Sequence, residues 1–291
     1  MTFTPKIRGY VATHSDRTVF LYRRSHKITY LILLDYKKEK FNLEIGSRFY
    51  GRVYPNRCDL SPDGKHFLYF AMGKSQQQYG KKLYCWTGIC APPKIKAEML
   101  FAHGDTWGGG GKFIDERTLF IAPGMYPDFD KTRDYKFNTY RIVFSAEPEY
   151  QYNDWASGNG WTISEFQVDP NYGPNYPIPK VWTKTNGRTT LCRFLHYKDF
   201  LKSKGGNTVG SYDLHSYSVR YGRQQTEYSL DRENEVCKWA DFDAKGRLIT
   251  TIGSKISIYK NVENLLKGRS EITFDFEEYI TATDVRDKSS S

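Results

Sequence analysis

Short apolar runs separated by Gly, Asn, Asp and Pro dominate the chain. They predict strands at Val19 to Tyr22, Ile28 to Tyr36, Phe67 to Ala71, Leu119 to Ala122, Tyr140 to Phe144, Leu248 to Ile252 and Ile256 to Tyr259, with a further one at Trp161 to Val168. Helical periodicity is confined to Val262 to Lys267 and Asp199 to Lys204, each long enough for a turn or two. The predicted class is all-β.

The turns between these runs repeat. Asp59-Leu60-Ser61-Pro62-Asp63-Gly64-Lys65-His66-Phe67 reads as strand end, tight turn and next strand: Pro presets φ, Asp bonds back onto the backbone and Gly supplies positive φ. Trp239 to Ile249 follows the same logic through Asp243-Ala244-Lys245-Gly246, and Thr13 to Phe20, Phe113 to Phe120 and Phe194 to Phe200 are poorer copies. Turn centres at residues 16, 63, 115, 198 and 244 are spaced by 47, 52, 83 and 46. Halving the long interval places another turn near residue 157, inside the Gly/Asn-rich segment 153–160, and yields six units of roughly 48 residues, the size of four-stranded propeller blades. The expected architecture is a single β-propeller over residues 1–291, with six four-stranded blades (seven as the alternative) and a short flexible tail at about 286–291.

The segment Asp59 to Phe70 resembles the repeat of TolB-type and WD40-like β-propellers, whose blades carry a Ser-Pro-Asp-Gly turn. Gly104-Asp105-Thr106-Trp107 followed by Gly108 to Gly111 also resembles a feature of uncharacterised bacterial proteins of this kind. The resemblance implies fold and no particular activity. The repeated terminal Trp-Asp of true WD40 units is missing.

Composition narrows the classes further. Aromatic residues reach 16%, types that suit half-buried pleated surfaces. The longest continuous apolar run, Tyr30 to Leu34, falls far short of the roughly twenty residues of a membrane span. With no export signal, no Asn-x-Ser/Thr acceptor and an odd set of five scattered cysteines, the expectation is a soluble, cytoplasmic protein without a membrane partner. Cys85 and Cys90 are too isolated for a zinc set, so neither metal nor cofactor is expected. The formal net charge of +10 invites a polyanion, but the lysines and arginines cluster at the ends of apolar runs, where they solvate turns, so nucleic acid is disfavoured.

Candidate binding residues are Trp107, Tyr126, Trp155 and Trp161, aromatics in or beside loops where they can anchor a partner or stack on a sugar, together with His103 and Asp105 as a polar pair. The run Gly108 to Gly111 before Lys112 lacks the spacing of a phosphate loop and reads as close strand packing. Carboxylates at Asp128, Asp130, Glu147 and Glu149 have no fixed separation, and no Gly-x-Ser-x-Gly elbow occurs, so no catalytic residue is assigned. The expected function is non-enzymatic protein binding through loops on one rim, as an interaction scaffold or immunity-type protein. The alternative is a hydrolase or carbohydrate-binding propeller with its site at the mouth of a central channel.

Overall fold

The computed structural model describes residues 3–73, 84–104, 106, 108–123, 129–144, 160–169, 173–196, 215–232 and 235–289. Five sheets follow one another along the chain. The first holds β1 (Lys6–Val11), β2 (Arg17–Arg23), β3 (Ile28–Lys37) and β4 (Lys40–Tyr50) in that order. The second holds β5 (Arg52–Val53), β6 (Asp59–Leu60), β7 (Phe67–Met72), β8 (Cys85–Cys90) and β9 (Met99–His103); β5 and β6 share one side of β7. The third joins β10 (Gly111–Phe113), β11 (Thr118–Ile121), β12 (Tyr135–Phe137) and β13 (Tyr140–Val143) in the order β10-β11-β13-β12, with β13 parallel to β11. The fourth is a five-strand meander of β14 (Thr162–Asp169), β15 (Gly173–Asn186), β16 (Thr189–Leu195), β17 (His215–Tyr221) and β18 (Thr226–Ser229). The fifth holds β19 (Cys237–Phe242), β20 (Leu248–Ile252), β21 (Lys255–Tyr259) and β22 (Ile272–Asp275).

Predicted strands and observed strands agree within one or two residues at every run named above, because β-branched and aromatic residues bounded by turn formers leave few alternatives. The number of units differs. Five sheets, not six four-stranded units, are built from the described residues: Thr162 to Leu195 enters the same ladder as His215 to Ser229, and no sixth sheet occurs among the described residues. The described part of the 83-residue interval holds strands of the third sheet followed by the first three strands of the fourth, which the 14-residue β15 lengthens.

The repeated turn is real at the level of hydrogen bonds. Ser61 Oγ donates to Asp63 Oδ1 at 2.7 Å and accepts from His66 N at 2.9 Å, while Gly64 takes φ +70°. Near the C-terminus one residue does both jobs: Asp243 Oδ1 accepts from Lys245 N and Arg247 N at 3.0 and 2.9 Å, and Gly246 takes φ +77°. Asp115 caps the β10–β11 turn by accepting from Arg117 N and Thr118 N at 2.6 and 2.7 Å.

Two helices complete the described chain. α1 (Val262–Leu266) falls where the sequence predicts one and is capped by Asn261, whose side chain accepts from Asn264 N at 2.9 Å. The predicted turn at Asp199 to Lys204 lies outside the described residues. α2 (Phe276–Ser289) is anchored through buried Phe276 and Ile280 one helical turn apart.

The chain divides into two compact units: residues 1–5 and 9–151 form one, and residues 6–8 with 152–291 the other. The first has a core around Leu68, Ile89, Phe101, Leu119 and Ile121, and the second around Trp182, Leu191, Val219, Leu248 and Tyr259.

Candidate functional site

Of the six residues singled out from the sequence, Asp105, Trp107, Tyr126 and Trp155 lie outside the described residues, as do Asp128, Glu147 and Glu149. His103 and Trp161 are described, and they are in different units. Both are buried, His103 at 1% and Trp161 at 6% exposure, so Trp161 is not the surface group that its place beside a loop suggests.

In the first unit His103 belongs to a closed network around the glycine run. Gly110 N donates to Thr87 Oγ1 at 2.7 Å, Thr87 Oγ1 is 3.0 Å from His103 Nε2, and His103 Nδ1 is 3.3 Å from the Pro123 carbonyl. One assignment satisfies the chain: Thr87 donates to Nε2, and the imidazole, carrying its proton on Nδ1, donates to Pro123. Arg57 Nη1 donates to the carbonyls of Thr106 and Gly108 at 2.7 and 2.6 Å, and its guanidinium lies over Phe70 and Tyr54. Gly109 and Gly110 have φ of +87° and +84°, and a Cβ on Gly109 would stand 2.0 Å from the Phe70 ring. Gly109 N donates to the Ala122 carbonyl at 2.9 Å. The amides at Gly109 and Gly110 are thus spent on the protein itself, and the glycines serve close packing, as the spacing predicts.

None of the five cysteines forms a disulfide and all are buried; burial pushes the Cys237 thiol up to about 12 and Cys90 higher still, far from thiolate formation at neutral pH. Among the described residues no group of three His, Cys, Asp or Glu side chains is placed to hold a metal ion.

The second unit contains a different arrangement. Trp182 on β15, Arg193 on β16 and Tyr217 on β17 are directly paired across three adjacent strands, which puts their side chains on one face in a row. His215, two residues before Tyr217, projects from the same face and packs edge-on against Trp182, with ring centroids 5.6 Å apart. The Arg193 guanidinium lies over the Trp182 ring at 4.3 Å and over Trp161 at 5.0 Å. Arg8, which groups with this unit, donates through Nη1 to the Tyr217 hydroxyl at 3.4 Å, and that hydroxyl is also the hydrogen-bonding neighbour of Arg193.

Asp241 on β19 is the carboxylate of this region, and it is already engaged. It accepts from Lys184 Nζ at 2.7 Å, from Trp161 Nε1 at 3.1 Å and from the Phe242 amide at 2.7 Å. Burial lowers the Arg193 pKa to about 10, although Tyr217 and Asp241 oppose the shift. Burial first, then the positive charges of Arg193, Arg8 and His196, hold His215 well below the usual imidazole range, so its ring is neutral at pH 7. A charged residue at Arg193 interrupts the inward alternation of Leu191 and Leu195. That interruption is the sequence signal for the row, and a search for loop aromatics passes over it.

One sheet edge in this unit carries exposed apolar side chains. β14 ends the fourth sheet, and on it Phe166 and Val168, two residues apart, are 56% and 55% exposed. Its ladder with β15 is interrupted between Ile163 and Glu165 and again between Glu165 and Phe166, and Pro179 sits opposite Phe166. Among the described residues no further strand pairs with its outer side.

No protein-family model matches the chain, and no curated protein sequence matches it. Among the described residues no helix is long and apolar enough to cross a membrane.

Proposed function

We propose that the chain is a protein-binding module, and that its β14 edge accepts an extended segment of a partner protein. The observation that carries this reading is the edge itself: an outer strand with two large apolar side chains in alternate, exposed positions. Main-chain groups there supply affinity to an added strand, and the alternating side chains supply choice of partner. A chain of net charge +10 favours an acidic partner segment, by steering the encounter more than by contact energy. The same reading takes the five sheets as blades of a propeller akin to the TolB and WD40-like repeat proteins, supported by the matching turns at Ser61–Gly64 and Asp243–Gly246. It places the protein among scaffolds, where loops and edges do the work and no reaction is performed.

The test is site-specific photo-crosslinking from position 164, on the same strand, in the native host, with the crosslinked peptide sequenced. The expected result is one recurring partner joined through an extended acidic segment. Capture should be lost in the Phe166→Asp/Val168→Asp double variant and kept in Tyr50→Asp, which changes an exposed aromatic on a different edge strand. Equal capture by both variants, or crosslinks spread over unrelated peptides, overturns the proposal.

A further inference from the structure

Among the described residues, six buried side-chain atoms in the second unit have no hydrogen-bond partner: Gln167 Nε2 on β14, and a set of five made up of Arg193 Nε and Nη2, Arg8 Nε, Trp182 Nε1 and His215 Nδ1. The five belong to side chains that pack on one another through the Trp182–Arg193–Tyr217 row. Four of the five are obligate donors, and the fifth donates in one neutral tautomer. On Arg193 the two unpartnered atoms form the side-on edge of the guanidinium, the fork that takes two acceptors at once.

Native proteins rarely leave such groups unanswered, because each buried donor without an acceptor costs on the order of 1–3 kcal/mol, and more when it carries charge. Water answers a neutral donor but leaves the charge uncompensated. Here Arg8 and Arg193 are both cationic, with Arg193 only 2% exposed, while Asp241 is taken up by Lys184, Trp161 and a backbone amide. A set of donors, a surplus of positive charge and aromatic walls that exclude solvent describe a receptor for an anion.

From this arrangement we propose that the second unit holds a small inorganic anion of halide size, bound by the Arg193 fork, Arg8 Nε, Trp182 Nε1 and the Nδ1 proton of His215. Size follows from enclosure: each of these atoms is sealed from bulk solvent, which suits a monatomic ion better than a tetrahedral oxyanion. The site is independent of the β14 edge and stands or falls separately from partner binding.

The experiment is thermal unfolding of the full chain at constant pH, constant sodium and constant ionic strength, with chloride exchanged stepwise for gluconate, which is too large to enter. Chloride should raise the midpoint by several degrees in a saturable manner. In Arg193→Met, whose near-UV circular dichroism is checked first, the chloride response should vanish. Trp182→Phe, which keeps the ring and deletes one donor, should weaken the apparent affinity several-fold and leave the saturating shift in place. Where Arg193→Met does not fold, the line width of chloride-35 NMR with wild type against Trp182→Phe serves as the second readout: excess broadening should be present in the first and reduced in the second. Midpoints that are equal in chloride and gluconate, or a chloride response that survives Arg193→Met, overturn the site. So does a phosphate or sulfate response larger than that of chloride, which would assign it to an oxyanion.

Discussion

Arg57 and Arg193 are the same side chain stacked on aromatic rings, one in each unit, Arg57 partly buried and Arg193 fully so, and what their donors meet differs. Arg57 lies over Phe70 and Tyr54, and its Nη1 is consumed by two carbonyls of the glycine segment. Arg193 lies over Trp182 and Trp161 and keeps a two-atom fork with nothing to bond. The first arginine closes a piece of structure. The second leaves a buried cation whose natural complement is a ligand, so stacking alone does not separate scaffold from site, and the accounting of donors does.

The hardest blow to the closed side is Gly109→Ala. The added Cβ would enter the Phe70 ring at 2.0 Å from a backbone at φ +87°, so overpacking and left-handed strain add up to a loss of about 3 kcal/mol or more in chemical denaturation. A loss under about 1 kcal/mol would show that the glycine run is pliable, and that Arg57 holds a loop rather than packed structure.

Exchanging each arginine for methionine breaks the comparison most directly. Arg57→Met strips two charge-assisted bonds from the carbonyls of Thr106 and Gly108 and should cost about 2–3 kcal/mol. Arg193→Met removes a buried charge that no carboxylate pairs with. In gluconate it should leave stability unchanged or raise it, as apolar replacements of buried ions often do. Equal losses in the two variants would mean that both arginines are structural.

Asp59 sharpens the closed side through pH. Its Oδ2 accepts from the Phe113 amide at 2.8 Å, yet burial outweighs that bond and raises its pKa from 3.8 to about 6. A carboxyl whose folded pKa is raised binds its proton more tightly in the folded state, so its contribution is fully present below the unfolded value. It is lost as pH climbs from about 4 to about 6, for a total on the order of 3 kcal/mol. Asp59→Asn should flatten the wild-type stability profile across that window. An unchanged profile would assign the slope to other groups.

The strands, the first helix and the turn chemistry were readable in the sequence because each depends on a few neighbouring residues: Pro, Asp and Gly at fixed offsets, or β-branched runs between them. The count of sheets was not. An interval of 83 residues looks the same whether it holds two ordinary repeats or strands of two successive sheets, one of them 14 residues long, and only the pairing of β15 with β16 and of β16 with β17 separates them. α2 escaped notice because its described half buries only Phe276 and Ile280, too few to make a helical stripe. Trp161 drew attention for standing beside a loop and His103 for standing two residues from Asp105, whereas burial and partners decide what such residues do. The Arg193 row depends on cross-strand register, which brings together residues 182, 193 and 217; local spacing shows only the interrupted alternation at Arg193 and not its partners.

The finest contrast lies within the row, between two indoles facing one guanidinium. Trp161 Nε1 donates to Asp241, while Trp182 Nε1 has no acceptor. In gluconate, Trp161→Phe should therefore cost about 1 kcal/mol more than Trp182→Phe, since only the first breaks a bond and deprives a buried carboxylate of one of its donors. Chloride should narrow the gap, because the ion supplies the acceptor that Trp182 lacks and its loss then costs a bond as well. A double-mutant cycle with Arg193→Met isolates that share: the coupling between positions 182 and 193 should grow with chloride, and the coupling between 161 and 193 should not. If both couplings stay fixed as the anion is exchanged, the two tryptophans are equivalent packing, and the distinction between the closed and the open arginine loses its chemical meaning.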